Sequence, residues 1–201
     1  DRGKAYSHLY DLASREITIV DHSLRQASVY AMSALNQDAD ARFSSKDLKL
    51  DLTPTGRRHQ LQGWNCAESG IHVAMPAELA GEKVSFEMDG TIWLAKNAPE
   101  QGETAAFVKA AQEPDFFMGI PVLAKKSPGQ AKGLSEVVKR LAPLGLLCAV
   151  DVETRYQGTG RMAELSRKMA SRIAVTYEKY VTDALKDEVF EIPKGYKVVR
   201  P

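Results

Sequence analysis

The chain has 201 residues, is 44% hydrophobic and 26% charged, and balances 27 Lys and Arg residues against 26 Asp and Glu residues. The hydrophobic share is too high, and the net charge of +1 too small, for a disordered chain, and the near-neutral balance argues against a dedicated nucleic-acid-binding protein. The length fits one domain over residues 1–201, and no apolar run of the sequence approaches the ~20 residues that a membrane helix needs.

Short alternating segments open the chain and predict a β-meander over residues 4–32. The clearest segment is Glu16–Asp21, in which Ile17 and Ile19 share one face. Because such short connections cannot cross over a sheet, these strands are predicted to be antiparallel neighbours. Residues 31–47 lack alternation and predict a helix or a helical turn.

A first pair of strands is predicted after this helix. Residues 48–52 carry apolar side chains at alternate positions, and the Pro-Thr-Gly sequence at 54–56 is a turn signal. We therefore predict that the chain reverses here and that residues 57–62 form the partner strand.

A second pair of strands is predicted at 70–75 and 82–94. Gly90 interrupts the alternation of the longer strand and predicts a β-bulge. One face of this strand then carries an apolar row: Val84, Phe86, Met88, Ile92 and Leu94.

The middle of the chain predicts two helices. Residues 103–113 are rich in helix formers and end before Pro114. Ser127 and Pro128 predict the start of the second helix, with the serine as N-cap and the proline at the first helical position. Its apolar residues recur at helical spacing and predict a buried face: Leu134, Val137, Val138 and Leu141.

The last quarter of the chain returns to strands. Residues 146–156 predict a strand, and 172–181 predict another after a helical turn, because Ile, Val, Thr and Tyr are enriched there. Residues 183–190 predict a short helix and 192–196 a turn. Strands at both ends with helices between them predict the α+β class.

Two cysteines, Cys66 and Cys148, leave two alternatives open. Paired, they would close a loop of about 80 residues and stabilise the fold by roughly 4–5 kcal/mol on the chain-entropy model. Unpaired, each would be an ordinary small core residue. Neither belongs to a CxxC motif, and no His or Cys lies at metal-ligand spacing, so neither a metal nor another cofactor is expected.

Sequence motifs of hydrolases, zinc proteases and nucleotide-binding loops are missing from the chain, so we do not expect an enzyme. The Gly-Thr-Gly sequence at 158–160 is interpreted as a hairpin turn. The basic cluster 57–59 could bind phosphate, but charges at a strand edge more often block edge-to-edge pairing. A hydrolase would require His59 or His72 beside Cys66 or an acid.

The most informative feature is apolar. Residues 116–118 (Phe-Phe-Met) lie in a connector, which usually runs over the surface, so these side chains need a partner. Two alternatives are open: they pack into the core, or they line a groove with a bound apolar ligand. The candidate ligand-binding residues are Phe86, Met88, Trp93, Phe116, Phe117 and Met118.

Several segments resemble the bacterial envelope family known as domain of unknown function 4412. The ending at 181–197 (VTDALKDEVFEIPKGYK) resembles that family's closing Phe-x-Ile-Pro-x-Gly-Tyr motif. The Gly-Trp-Asn-Cys step at 63–66 and the strand at 91–96 (TIWLAK) resemble two further steps of the family. The early steps at 10–11 and 19–21 resemble its meander.

The resemblance implies a fold similar to lipoprotein carriers of the LolA/LppX type, a curved antiparallel half-barrel covered on its concave face by helices. It also implies export, which favours the disulfide, and it implies that the half-barrel's first strands precede Asp1 or are absent. In the closing motif, Phe190 is expected to anchor the core, Pro193 to end a strand and Gly195 to permit a turn that folds Tyr196 back. The family brings no catalytic residues.

Two functions are expected from these observations. The first is a non-enzymatic protein of the periplasm or outer cell envelope that binds a lipid or acyl chain between the sheet and the helices. The alternative is an interaction or scaffold module whose core is filled and whose partner is another envelope protein.

Overall fold

The computed structural model describes residues 6–40, 43–61, 63–96, 103–113, 116–118, 127–167, 170–178 and 186–201. Within these ranges the fold is α+β, as predicted, and contains a four-stranded sheet, a five-stranded sheet and four α-helices. The strands therefore form two sheets, where one curved sheet was predicted.

The first sheet contains the predicted N-terminal meander. Its strands are β1 (Tyr6–Asp11), β2 (Glu16–Asp21) and β3 (Gln26–Ala31), paired antiparallel in sequence order. A fourth strand from the C-terminus, β9 (Lys197–Val199), pairs parallel with β3. The sequence gives no local signal for this pairing, because its two partners are far apart in the chain.

Two aspartates close the turns of the meander. The backbone N–H groups of Ser14 and Ala13 donate to Asp11, and this lowers the pKa of its carboxyl. The hydroxyl of Ser23 and the backbone N–H of Leu24 likewise lower the pKa of Asp21. Short carboxylate side chains that cap their own turn are typical at such positions.

The helix predicted for residues 31–47 is confirmed in its position. Helix α1 (Met32–Asp40) begins directly after β3, and a 3₁₀ turn covers Ser45–Asp47. The backbone N–H of Met32 donates to the carbonyl oxygen of Arg15 at 2.9 Å, which fixes the start of α1 against the β1–β2 turn.

The second sheet is antiparallel throughout and follows the sequence order of its strands. Its strands are β4 (Lys49–Leu61), β5 (Trp64–Leu79), β6 (Glu82–Ala95), β7 (Leu146–Gln157) and β8 (Ser171–Thr176). β4 and β8 are therefore the two edges of this sheet.

The hairpin predicted at 54–56 is wrong. Pro54 pairs with Ser69 of β5, and Arg58 pairs with Ala67 of the same strand. The chain therefore continues through 54–56 as one strand, β4, with a register shift between Pro54 and Arg58. Gly56 (φ +81°) absorbs the irregularity. A proline is compatible with this place because β4 is an edge strand.

The bulge predicted at Gly90 is also wrong. Gly90 stays in register with Ile71 of β5 and Val152 of β7, and the register shift with β7 lies between Trp93 and Leu94. The apolar row is confirmed, because Val84, Phe86, Met88, Ile92 and Leu94 are all buried.

Glycine at position 90 is required by the close approach of β7. A Cβ atom there would lie 2.8 Å from the Cα of Val152 and closer still to the carbonyl oxygen of Asp151. We expect Gly90→Ala to lower the free energy of unfolding by about 2 kcal/mol or more, measured by urea denaturation. The control is Gly70→Ala on β5, where the nearest atom would be 3.7 Å away, and equal effects of the two substitutions would contradict this explanation.

Three further helices complete the described chain: α2 (Glu103–Ala111), α3 (Pro128–Leu141) and α4 (Arg161–Arg167). The two helices predicted in the middle of the chain are confirmed as α2 and α3. Pro128 lies in the first turn as predicted, but the side chain of Ser127 makes no capping hydrogen bond to the described residues.

The C-terminal predictions are confirmed in part. β8 ends at Thr176, and residues 179–185 of the predicted strand and helix lie outside the described residues. The predicted helix retains a 3₁₀ turn at Asp187–Phe190. Phe190 does not anchor the core, because 53% of it is exposed.

The turn before β9 does fold Tyr196 back. Gly195 has φ +80°, a conformation that glycine adopts without strain. The hydroxyl of Tyr196 then lies 3.2 Å from Nδ1 of His22, and the guanidinium of Arg25 lies over its ring.

The two faces of the second sheet differ in chemistry. One face is apolar and packs against α3, with Val73 and Met88 of the sheet in the same buried cluster as Val137 of the helix. The other face carries ion pairs between neighbouring strands. Arg155 pairs with Glu87 at 3.0 Å and with Asp89 at 2.6 Å.

Candidate ligand-binding site

A cavity of about 430 Å³ lies between α3 and the apolar face of the second sheet. We call it the apolar cavity. Side chains of β6 and α3 form two of its walls: Met88, Ile92, Leu94, Val137, Val138 and Leu141. Its volume falls within the range of about 300–1,000 Å³ that is typical of small-molecule sites.

These two walls follow from the periodicity of side chains along a strand and along a helix. Alternate residues of β6 point to one face of the sheet, and residues three and four apart on α3 point to one face of the helix. Both patterns were visible in the sequence. Their meeting across a cavity was one of the two alternatives that the apolar connector at 116–118 left open, and the family resemblance implied it.

The remaining walls come from other parts of the chain. Leu147, Val150 and Val152 line the cavity from β7, and Phe107 lines it from α2. Met118 closes it from the connector, where its backbone N–H donates to Oγ of Ser135 at 3.0 Å. Since Ser135 is fully buried in α3, this bond fixes the connector on the helix.

Two of the six predicted ligand-binding residues, Met88 and Met118, line the apolar cavity. Phe86 lies on the same face of β6 and packs against the ring of Tyr156 at 5.2 Å. Phe116 is fully buried and packs edge-on against Phe107 at 5.9 Å, so it supports a lining residue without lining the cavity itself.

Phe117 and Trp93 lie elsewhere. Phe117 is fully buried in a separate cluster with Ile17, Met32 and Ala131, between the first sheet and α3. Trp93 points to the opposite face of the second sheet, because it alternates with Ile92 and Leu94. Assigning Trp93 to the groove overlooked this alternation.

A second cavity, of about 340 Å³, lies on the face of the second sheet opposite α3. We call it the rim cavity. Its floor is formed by Leu61, Trp93, Cys148 and Ala149, and its rim by Arg58, His59, Thr176, Tyr177 and Glu178. Sequence reasoning missed it, because the rim residues come from the two edges of the sheet, more than a hundred positions apart.

A disulfide joins Cys66 of β5 to Cys148 of β7 beside the rim cavity, with their Cα atoms 6.4 Å apart. It crosses β6 above Ala95, a small side chain that is 1% exposed. Of the two alternatives left open by the sequence, the structure has the paired form.

The hydrolase arrangement does not form at Cys66. His59 lies opposite Cys66 in the strand register, but the sulfur is bonded to Cys148. His72 contacts an acid, Asp89, at 2.6 Å, and this pair lies on the ion-paired face, outside both cavities.

The shifted titratable groups also lie outside the cavities. Burial raises the pKa of Tyr10 in the first sheet. A hydrogen bond from Arg172 lowers the pKa of Asp151 on the second sheet. No helix in the described ranges is long and apolar enough to cross a membrane.

Comparisons of the chain with protein-family models, with curated proteins and with solved structures found no match. The resemblance to the envelope family therefore stays a prediction that rests on its sequence motifs. A function has to be inferred from the geometry and chemistry of the two cavities.

Proposed function

We propose that the protein is non-enzymatic and binds an apolar ligand, a lipid or an acyl chain, in the apolar cavity. The observation that carries this proposal is the lining, which is aliphatic or aromatic on every wall and includes two flexible methionines. Methionine side chains adapt to irregular apolar ligands. Each methylene that leaves water for such a cavity contributes about 0.8 kcal/mol to binding.

We propose further that the second sheet curves around α3 as a half-barrel of the LolA/LppX type. Two register shifts support the curvature, one between Pro54 and Arg58 and the other between Trp93 and Leu94. Bulges of this kind bend strands and increase their twist.

The proposed location is the periplasm or the outer cell envelope. The Cys66–Cys148 disulfide supports it, because such bonds persist in oxidising compartments and are rare in the cytosol. The sequence motifs of the envelope family point to the same location.

A cavity-filling substitution tests the proposed function. We expect Val138→Phe to weaken the binding of a fluorescent long-chain fatty acid about tenfold or more, because the added ring would occupy the space of the ligand. Val138 is half-buried in α3 and lines the cavity, so the fold has room for the ring. The measurement is a fluorescence titration, with thermal unfolding as a check on the fold.

The matched control is Val198→Phe on β9, where 50% of the valine is exposed far from the cavity. It should bind the fatty acid as the unsubstituted protein does. Equal affinity of the Val138→Phe and Val198→Phe proteins would contradict the proposed site.

A second function, binding of another envelope protein, is favoured by the edge strand β8. Ile173 is 46% exposed and Val175 is 40% exposed, and both lie on the same face of the sheet as the apolar cavity. Exposed neighbouring apolar side chains are typical of interaction surfaces. Under this function, Ile173→Ser would reduce partner binding, and Val138→Phe would leave it unchanged.

A further inference from the structure

We infer that the rim cavity binds a zwitterionic headgroup, one that carries an anionic phosphate and a cationic amine. The headgroup would belong to a lipid whose chain occupies the apolar cavity. This inference rests on the proposed function and specifies the class of lipid.

The floor of the rim cavity suits a cationic amine. Trp93 lies on this floor, and its ring is held edge-on by His59 at 6.3 Å between ring centroids. The indole ring is the aromatic group that attracts cations most strongly. The indole ring of Trp93 and the carboxylate of Glu178 are groups of the kind that recognise substituted ammonium ions.

The rim supplies two opposite charges from opposite edges of the sheet. Arg58 lies on β4, and Glu178 follows β8. Within the described part of the chain, neither side chain takes part in an ion pair. The neighbouring Arg57, in contrast, pairs with the buried Glu68.

A zwitterion would complement both rim charges at once. Its phosphate would accept charge-assisted hydrogen bonds from Arg58, and its amine would lie beside Glu178 and the ring of Trp93. A purely anionic headgroup could pair with Arg58, but its negative charge would lie near the negative charge of Glu178 with no cationic group to offset the repulsion. The pattern of charge therefore favours the zwitterion over a fatty acid or an acidic headgroup.

Tyr177 connects the two cavities, because it lines both of them. Its backbone N–H donates to the carbonyl oxygen of Cys148 at 2.9 Å, which fixes this part of the chain to β7. Because the two cavities lie on opposite faces of the sheet, a ligand that uses both would have to pass around the end of β8 at Tyr177, with its chain in the apolar cavity and its headgroup in the rim cavity. The site thus fits an amphipathic molecule.

The test compares two lipids with the same acyl chain, lysophosphatidylcholine and an uncharged monoacylglycerol, each below its critical micelle concentration. We expect the lysophosphatidylcholine to bind about tenfold more tightly in calorimetric titrations. Arg58→Gln and Glu178→Gln should each weaken its binding about threefold to tenfold and leave the monoacylglycerol unaffected. The control is Arg161→Gln, an exposed arginine at the opposite end of the sheet, which should change neither.

Equal affinity for the two lipids, or an equal effect of Arg58→Gln on both, would overturn the inference. If the monoacylglycerol does not bind at all, the proposed function fails instead. Binding to the rim cavity is then measured with soluble glycerophosphocholine, which has the same headgroup and no acyl chain. If it binds, and if Arg58→Gln weakens this binding, the rim cavity is a site for a free zwitterion. If it does not bind, the inference is overturned.

Discussion

Replacing Phe117 with alanine is expected to lower the free energy of unfolding by about 3–5 kcal/mol. The ring is fully buried among Ile17 of β2, Met32 of α1 and Ala131 of α3. Its removal would leave a void where the first sheet meets the helix that covers the second sheet. Urea denaturation at equilibrium measures the loss.

The control is Phe190→Ala, the same substitution at a ring that is 53% exposed. It should change the free energy of unfolding by no more than about 0.5 kcal/mol, because surface substitutions away from special features have small effects. Equal losses at Phe117 and Phe190 would mean that the burial of these two rings has been assigned wrongly.

Loss of the Cys66–Cys148 disulfide is expected to cost about 4–5 kcal/mol of stability on the chain-entropy model, because the two residues are 82 positions apart. The cross-link restricts the unfolded chain, so reduction stabilises the unfolded state. Unfolding with and without a thiol reductant, followed by thiol labelling, measures the effect.

The double variant Cys66→Ala, Cys148→Ala is the matched control for reduction. Its stability should equal that of the reduced protein and should not respond to the reductant. If both cysteines of the unreduced protein react with a thiol-labelling reagent in denaturant, the protein has no disulfide and this prediction is contradicted.

Local periodicity predicted the elements whose side chains alternate or recur over many residues. The meander and the apolar row of β6 follow from spacing alone. Of the face predicted to be buried on α3, only Val137 is buried, and Leu134, Val138 and Leu141 are half-buried. The segment 54–56 shows the limit. A Pro-Thr-Gly sequence suits a hairpin turn and an edge bulge equally, and only the pairing with β5 distinguishes them.

Burial of single aromatic residues was the least predictable feature. Phe117 and Phe190 both lie outside the α-helices and the β-strands. Phe117 is nevertheless buried, whereas Phe190 is exposed. What separates them is the presence of α1 and α3 above Phe117, which depends on how distant segments pack. No pattern of neighbouring residues encodes that packing.

The apolar cavity could be predicted in part and the rim cavity could not. Met88 follows from the alternation of β6, and Met118 from its place in an apolar connector. Alternation would also have assigned Trp93 to the opposite face. Arg58 and Glu178, in contrast, line the same cavity although one lies on the edge strand β4 and the other follows the edge strand β8.

The most direct test of the central claim is native mass spectrometry of the protein purified from its own cells without detergent. The claim predicts a bound species with the mass of a lipid, present in the unsubstituted protein and lost in Val138→Phe. A mass equal to that of the bare chain in both proteins, with no lipid in an organic extract of either, would contradict it.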